Sequence, residues 1–220
     1  MNRKRVIASA LVAVALSATV AAAANAAVFK FTSDPTLLKG IHEGSDEFSF
    51  ISGAFKCSIA EFGTALNVPT KESKEVTAAP TYKECMTTTS EIEFKKNSCW
   101  WDFISGALIG NNYEGEVEVK CTNAKEGFEF IKKEKGVLKC TIHIPAQAKL
   151  TTVTYTNKTD AGGIKDLTFD IGITGLTYTQ TEGTGLGKCV TETRNDGKYT
   201  ATWTVQATDN GGKSNSWWIE

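Results

Sequence analysis

Apolar residues in this chain recur at every second position, and that period dictates an all-β fold. Leu167, Phe169, Ile171 and Ile173 alternate with Thr168, Asp170, Gly172 and Thr174. Ala201, Trp203, Val205 and Ala207 alternate with Thr200, Thr202, Thr204 and Gln206. Val117, Val119 and Cys121 alternate with Glu116, Glu118 and Lys120. Ile92 and Phe94 alternate with Glu91, Glu93 and Lys95. Successive side chains of a strand point to opposite faces, so each run has one apolar and one wet face. Thr, Val, Ile and Phe dominate the runs, as a half-buried pleated surface favours. Turn signals separate them: Gly110-Asn111-Asn112, Asp160-Ala161-Gly162-Gly163, Asn195-Asp196-Gly197 and Asp209-Asn210-Gly211-Gly212. The pattern predicts an antiparallel fold of roughly a dozen short strands. So many strands must close to bury their apolar faces. The favoured closure is a disulfide-stabilised β-sandwich, and a β-barrel is the alternative.

Helical spacing is convincing only at the start of the chain. Arg3, Lys4 and Arg5 precede an apolar run from Val6 to Ala24, and Ala24-Asn25-Ala26 has the small-x-small form of a cleavage site. Residues 1–26 read as a signal-peptide helix, followed by a single secreted β domain over residues 27–220. The run is about long enough to cross a bilayer. It is rich in weakly inserting Ala, however, and no basic stop-transfer cluster follows it. The expected location is therefore extracellular, with no membrane contact after cleavage.

Six cysteines follow: Cys57, Cys85, Cys99, Cys121, Cys140 and Cys189. An even set in an oxidising space favours disulfides over metal sites. Six cysteines allow fifteen full pairings. Cys99 and Cys121 are equidistant from Gly110, so a simple hairpin sets them opposite one another. Cys57 and Cys85 are centred on Lys71, within the polar run Thr70-Lys71-Glu72-Ser73. The expected bridges are Cys57–Cys85, Cys99–Cys121 and, for the remaining two, Cys140–Cys189. Phe55-Lys56-Cys57-Ser58, Val119-Lys120-Cys121-Thr122 and Leu138-Lys139-Cys140-Thr141 echo one another. Their spacing is irregular, so the echo reads as strands with Cys inward and Lys outward, not as a repeat.

Several motifs, in order, resemble a group of uncharacterised secreted, six-cysteine, Thr-rich β proteins of soil actinobacteria. They are Val28-Phe29-Lys30-Phe31-Thr32-Ser33, Phe55-Lys56-Cys57, Pro80-Thr81-Tyr82 with Cys85, and Asn97-Ser98-Cys99. Cys140-Thr141-Ile142, Val153-Thr154-Tyr155-Thr156-Asn157 and Gly175-Leu176-Thr177-Tyr178 continue the series. Trp100-Trp101, Trp217-Trp218 and the Lys-rich segment Lys125 to Lys135 depart from it. The resemblance implies an exported β fold and carries no activity.

Removing Arg3, Lys4 and Arg5 takes the formal net charge from −1 to −4. A mildly acidic chain with mixed signs has no footprint for nucleic acid or anionic lipid. Its two histidines, His42 and His143, are too few for a zinc site and are expected to face water. Glu114, Glu116 and Glu118 share one strand face. Residues i and i+2 lie about 6.5 Å apart on any strand, so that spacing reads as a solvated face, not a glycosidase pair. Asp196 and Asp209 have the residues hairpin turns require, and fit no calcium-loop pattern. Asn157-Lys158-Thr159 is formally a glycosylation acceptor, idle in the bacterial host that the resemblance implies. No catalytic, cofactor or metal residues are expected, and the chain is read as a non-enzyme.

The tryptophan pairs remain. Trp100 and Trp101 lie on opposite faces of their strand, as do Trp217 and Trp218, so one of each pair points outward. All four are candidates for stacking on a ligand. The expected function is a secreted binding or structural surface component. The alternative is a carbohydrate-binding module, and a secreted hydrolase is least favoured. The partner expected is a polysaccharide or another extracellular protein.

Overall fold

Period-two alternation becomes strand along the whole described chain, and no helix occurs among the described residues. The computed structural model describes residues 27–32, 37–65, 71–184, 189–209 and 212–220. The expected signal peptide, residues 1–26, lies outside them. In chain order the strands are β1 (Phe29–Phe31), β2 (Leu37–His42), β3 (Asp46–Phe50), β4 (Gly53–Ala65), β5 (Glu72–Ser73), β6 (Glu75–Ala78), β7 (Pro80–Met86) and β8 (Glu91–Lys95). Then come β9 (Cys99–Ile109), β10 (Asn112–Cys121), β11 (Gly127–Glu134), β12 (Val137–Pro145), β13 (Gln147–Thr159), β14 (Lys165–Glu182), β15 (Glu192–Thr208), β16 (Ser214–Asn215) and β17 (Trp217–Ile219).

The main sheet closes. Neighbours run β15-β2-β4-β7-β8-β11-β12-β14, and β14 pairs back with β15, giving an eight-stranded barrel. This is the alternative closure, not the favoured sandwich. The reason is the length of β14 and β15, at 18 and 17 residues. Each is long enough to serve different partners along its two halves. The first half of β14 pairs with β13, from Lys165 to Ile171. Its far end pairs with β12, through Thr179 to Glu182. Between them Gly175, at φ 76°, makes a bulge opposite Gly197. Only a residue without Cβ takes that φ cheaply. The bulge switches the inward set from Leu167, Phe169, Ile171 and Ile173 to Leu176, Tyr178 and Gln180. Asn195-Asp196-Gly197 is therefore strand interior in β15, not the turn its composition implied. The other half of the fold extends from β14 through β13, β10, β9 and β6. A three-stranded sheet of β17, β1 and β5 packs near it, with Phe29 and Trp217 against Phe169.

Aromatic rings fill the barrel. Phe48 lies 4.4 Å from Tyr199, 4.5 Å from Phe130, 5.2 Å from Tyr82 and 5.3 Å from Phe55, centroid to centroid. Such contacts add to the burial of each ring. These rings form a packed aromatic core inside the barrel.

All three disulfides join the expected partners. Cys57 and Cys85 face each other across β4 and β7, and Cys99 and Cys121 across the β9–β10 hairpin. Cys140 of β12 is joined to Cys189, ahead of β15. The bridges are compatible with an extracellular or secreted protein.

Candidate functional site

Threonines alternate outward on β13, β14 and β15, and the register brings them together. Thr156 pairs with Thr168, which is itself covered, and Thr168 with Thr204. One step along, Thr154 pairs with Asp170, and Asp170 with Thr202. The next position joins Gly172 to Thr200. The result is a trough of about 400 Å³ on the outside of the sheet. Thr152, Thr154, Thr200, Thr202 and Ser45 supply hydroxyls, and Glu43 and Asp170 supply carboxylates. Gly172 forms the floor, where an added Cβ would meet nothing nearer than the Thr152 carbonyl oxygen at 4.0 Å.

The polar groups are held in place. The Thr202 hydroxyl donates to Asp170 at 2.8 Å. Glu43 accepts from the Thr204 hydroxyl and from Lys158 Nζ, the latter at 3.3 Å. These two contacts hold its carboxyl below the usual glutamate range, so it stays ionised. A second groove, of about 510 Å³, shares Thr152 and carries Glu114 and Glu116. Two of the three glutamates assigned to a solvated face thus extend the same polar surface.

The tryptophans split as alternation requires. Trp101 and Trp217 are 1% and 0% exposed, so two of the four stacking candidates are core residues and cannot meet a ligand. Trp101 stacks on Tyr199, and Trp217 on Phe31. Trp218 points outward, but Lys165 Nζ sits 4.7 Å above its ring. Its indole N–H donates to Glu220 at 2.8 Å. Trp100 lines an open cleft of about 320 Å³ with Lys96, Ser98 and Thr122.

One histidine departs from expectation. His143 lies on β12 opposite Glu129, with its side chain 28% exposed. The His42 side chain is only 12% exposed, because the phase of Leu38 and Gly40 turns it inward. Its Nδ1 lies 3.9 Å from Asp46 Oδ2, and neither atom has a hydrogen-bond partner. Asp46 is fully buried at the start of β3. Its Oδ1 accepts from Trp203 Nε1 at 2.9 Å and from the Tyr199 hydroxyl at 3.4 Å. Tyr199 in turn receives from Tyr82, and Tyr82 from Trp101 Nε1, both at 3.0 Å. Burial outweighs the two donors and pushes the Asp46 carboxyl up to about 7. The buried carboxylate of Asp102 contacts Lys120, whereas among the described residues Asp46 faces no lysine or arginine.

Asp46 escaped sequence reasoning because Glu43 to Glu47 reads as a polar loop. Its one signal was phase: Asp46, Phe48 and Phe50 occupy every second position. Asn157 escaped too. Its side chain pairs with both the N–H and the C=O of Ile219, at 3.0 Å each, and ties β17 to β13.

Among the described residues, no group of three His, Cys, Asp or Glu is placed to hold a metal. No protein-family model matches this chain, and comparison with curated proteins and with solved structures found no similar protein.

Proposed function

We propose that this chain works outside the cell as a non-catalytic binding protein, and that the threonine trough takes a polyhydroxylated ligand such as a polysaccharide chain. The observation that supports this is the trough itself. Five hydroxyls can each donate or accept, and two carboxylates accept from sugar hydroxyls. A polymer could run on into the neighbouring groove across Thr152.

The test is retention on insoluble cellulose, chitin and xylan. Gly172→Gln should abolish retention, because the strand tolerates the side chain while the floor is filled. Its melting temperature should match the wild type. Asp170→Asn should weaken retention by roughly tenfold, the scale of a hydrogen bond to a charged group. A second reading rests on Trp100 and its cleft, where a sugar ring could stack. In that case Trp100→Ala abolishes retention and Gly172→Gln does not. Retention unaffected by either substitution contradicts both readings.

A further inference from the structure

The trough has one wall that is not regular strand. β2 and β3 are both antiparallel to β15 and β4, so they run in one direction through a single slot between them. Glu43 to Ser45 interrupt that slot, with Gly44 at φ 98°. Glu43 and Ser45 line the trough. The Glu43 N–H donates to the Thr202 carbonyl at 2.7 Å, and Thr202 lines the facing side. His42 ends one side of the interruption and Asp46 begins the other, and these two residues face each other inside.

The hydrogens around Asp46 are already committed. Trp101, Tyr82 and Tyr199 each donate toward it in sequence, and Trp203 donates directly. All of this reaches Oδ1. Oδ2 receives no hydrogen bond among the described residues, and His42 Nδ1 lies 3.9 Å from it.

We propose that His42 and Asp46 form a proton-dependent clasp across the β2–β3 interruption, and that its protonation sets the position of the Glu43–Ser45 wall. With the added proton, Oδ2 and Nδ1 can share a hydrogen bond, and the two ends of the interruption are drawn together. Without it, the buried carboxylate carries a full charge, and a neutral His42 reaches Oδ2 only by holding its one N–H on Nδ1. Water then gains by entering at the interruption, and the wall loosens. The other titratable groups facing the pair do not change state in the same range. Tyr199 of β15 and Tyr82 of β7 are pushed well up by burial and by the Asp46 charge. On the wall, Glu43 is held ionised by Thr204 and Lys158. From β4, Asp46 meets Cys57, which is closed in a disulfide.

The consequence for binding rests on the reading of the trough as a ligand site. Closing a wall is a coupling free energy between the proton and the ligand, and such couplings run from about fivefold upward. Retention on cellulose should therefore fall at least fivefold between acid and alkaline pH.

The clasp is tested first without any ligand, by nuclear magnetic resonance between pH 5 and 9. The Trp203 indole N–H and the backbone amides of Glu43, Gly44 and Ser45 should titrate together, in one step near the Asp46 value of about 7. Asp46→Asn should remove the step from all four signals. His42→Gln, which keeps the carboxylate, should leave the Trp203 step and suppress the wall step. Wall amides that stay fixed while Trp203 titrates would overturn the clasp, as would no titration in either. The ligand arm is read separately, as cellulose retention at pH 5.5 and 8.5. A fall in the wild type and a flat response in Asp46→Asn carry the coupling. A flat wild type refutes it. Absence of retention at every pH refutes the trough as a site for this polymer, while the titration still decides the clasp.

Discussion

Reduction of the three disulfides should unfold this protein at 25 °C. The bridges span 28, 22 and 49 residues of sequence. On the chain-entropy account, loops of those lengths contribute about 3–4 kcal/mol each by restricting the unfolded chain. Together they contribute about 10 kcal/mol, against a typical total of about 5–15 kcal/mol. The two cross-strand bridges are buried, since Cys57, Cys85 and Cys99 are almost fully enclosed. Reduction should therefore need mild denaturant to start, and should then run to completion. Near-ultraviolet circular dichroism follows it, because Trp101 and Trp203 are locked in the core. A fully reduced chain that keeps its native spectrum and melting temperature would contradict the assignment of stability to the bridges.

Stability should also fall steeply as pH rises from about 4 to 7. Folding moves Asp46 from water into a site that disfavours its charge, raising its carboxyl from 3.8 to about 7. The folded state therefore holds a proton that the unfolded state has released over that window. Stability from this group is fully present below pH 4 and is lost as pH rises through 7. A tenfold change in proton affinity on folding corresponds to about 1.4 kcal/mol, so the loss amounts to about 4 kcal/mol by pH 8, most of it by pH 7. Asp46→Asn removes the titration and keeps the acceptor for Trp203 and Tyr199. Its amide N–H₂ can face His42 Nδ1. Wild type and Asp46→Asn should be close in stability near pH 4, and the variant should be the more stable at pH 8. Denaturant titrations of both proteins check this, and their difference cancels the other carboxylates. A wild type more stable than the variant by the same amount at both pH values would rule it out.

What could be read from the residues, and what could not, follows from the range of each signal. Alternation is local, so the strands of Val117 and Val119 or of Ala201 to Ala207 were plain. The Cys99–Cys121 bridge was legible because a simple hairpin converts sequence symmetry into contact. Cys57–Cys85 obeyed the same rule even though β5 and β6 pair elsewhere within its loop. Barrel closure was not legible. It depends on a bulge at Gly175 that lets β14 change partners, and nothing near Gly175 in sequence announces β12. The trough was half legible. Each strand showed a threonine face, but only register sets Thr154, Asp170 and Thr202 side by side. The tryptophans were ranked by residue type. Burial then placed Trp101 and Trp217 in the core, and Lys165 covered Trp218. Asp46 was hidden because a charged residue in a polar run looks solvated until the rings of Tyr82, Tyr199 and Trp203 close around it.

Ligand contact on the outside of β13, β14 and β15 is decided by residue-resolved mapping of a soluble ligand. Cellohexaose would be titrated into isotopically labelled protein at pH 5.5 while all backbone amides are followed. The amides of Thr152, Thr154, Asp170, Gly172, Thr200 and Thr202 should shift in a saturable way, with those of Glu43 and Ser45. Amides around Lys96, Ser98 and Trp100 should stay in place. Saturable shifts confined to the Trp100 cleft, or no saturable shift anywhere, would contradict the trough as the place of contact.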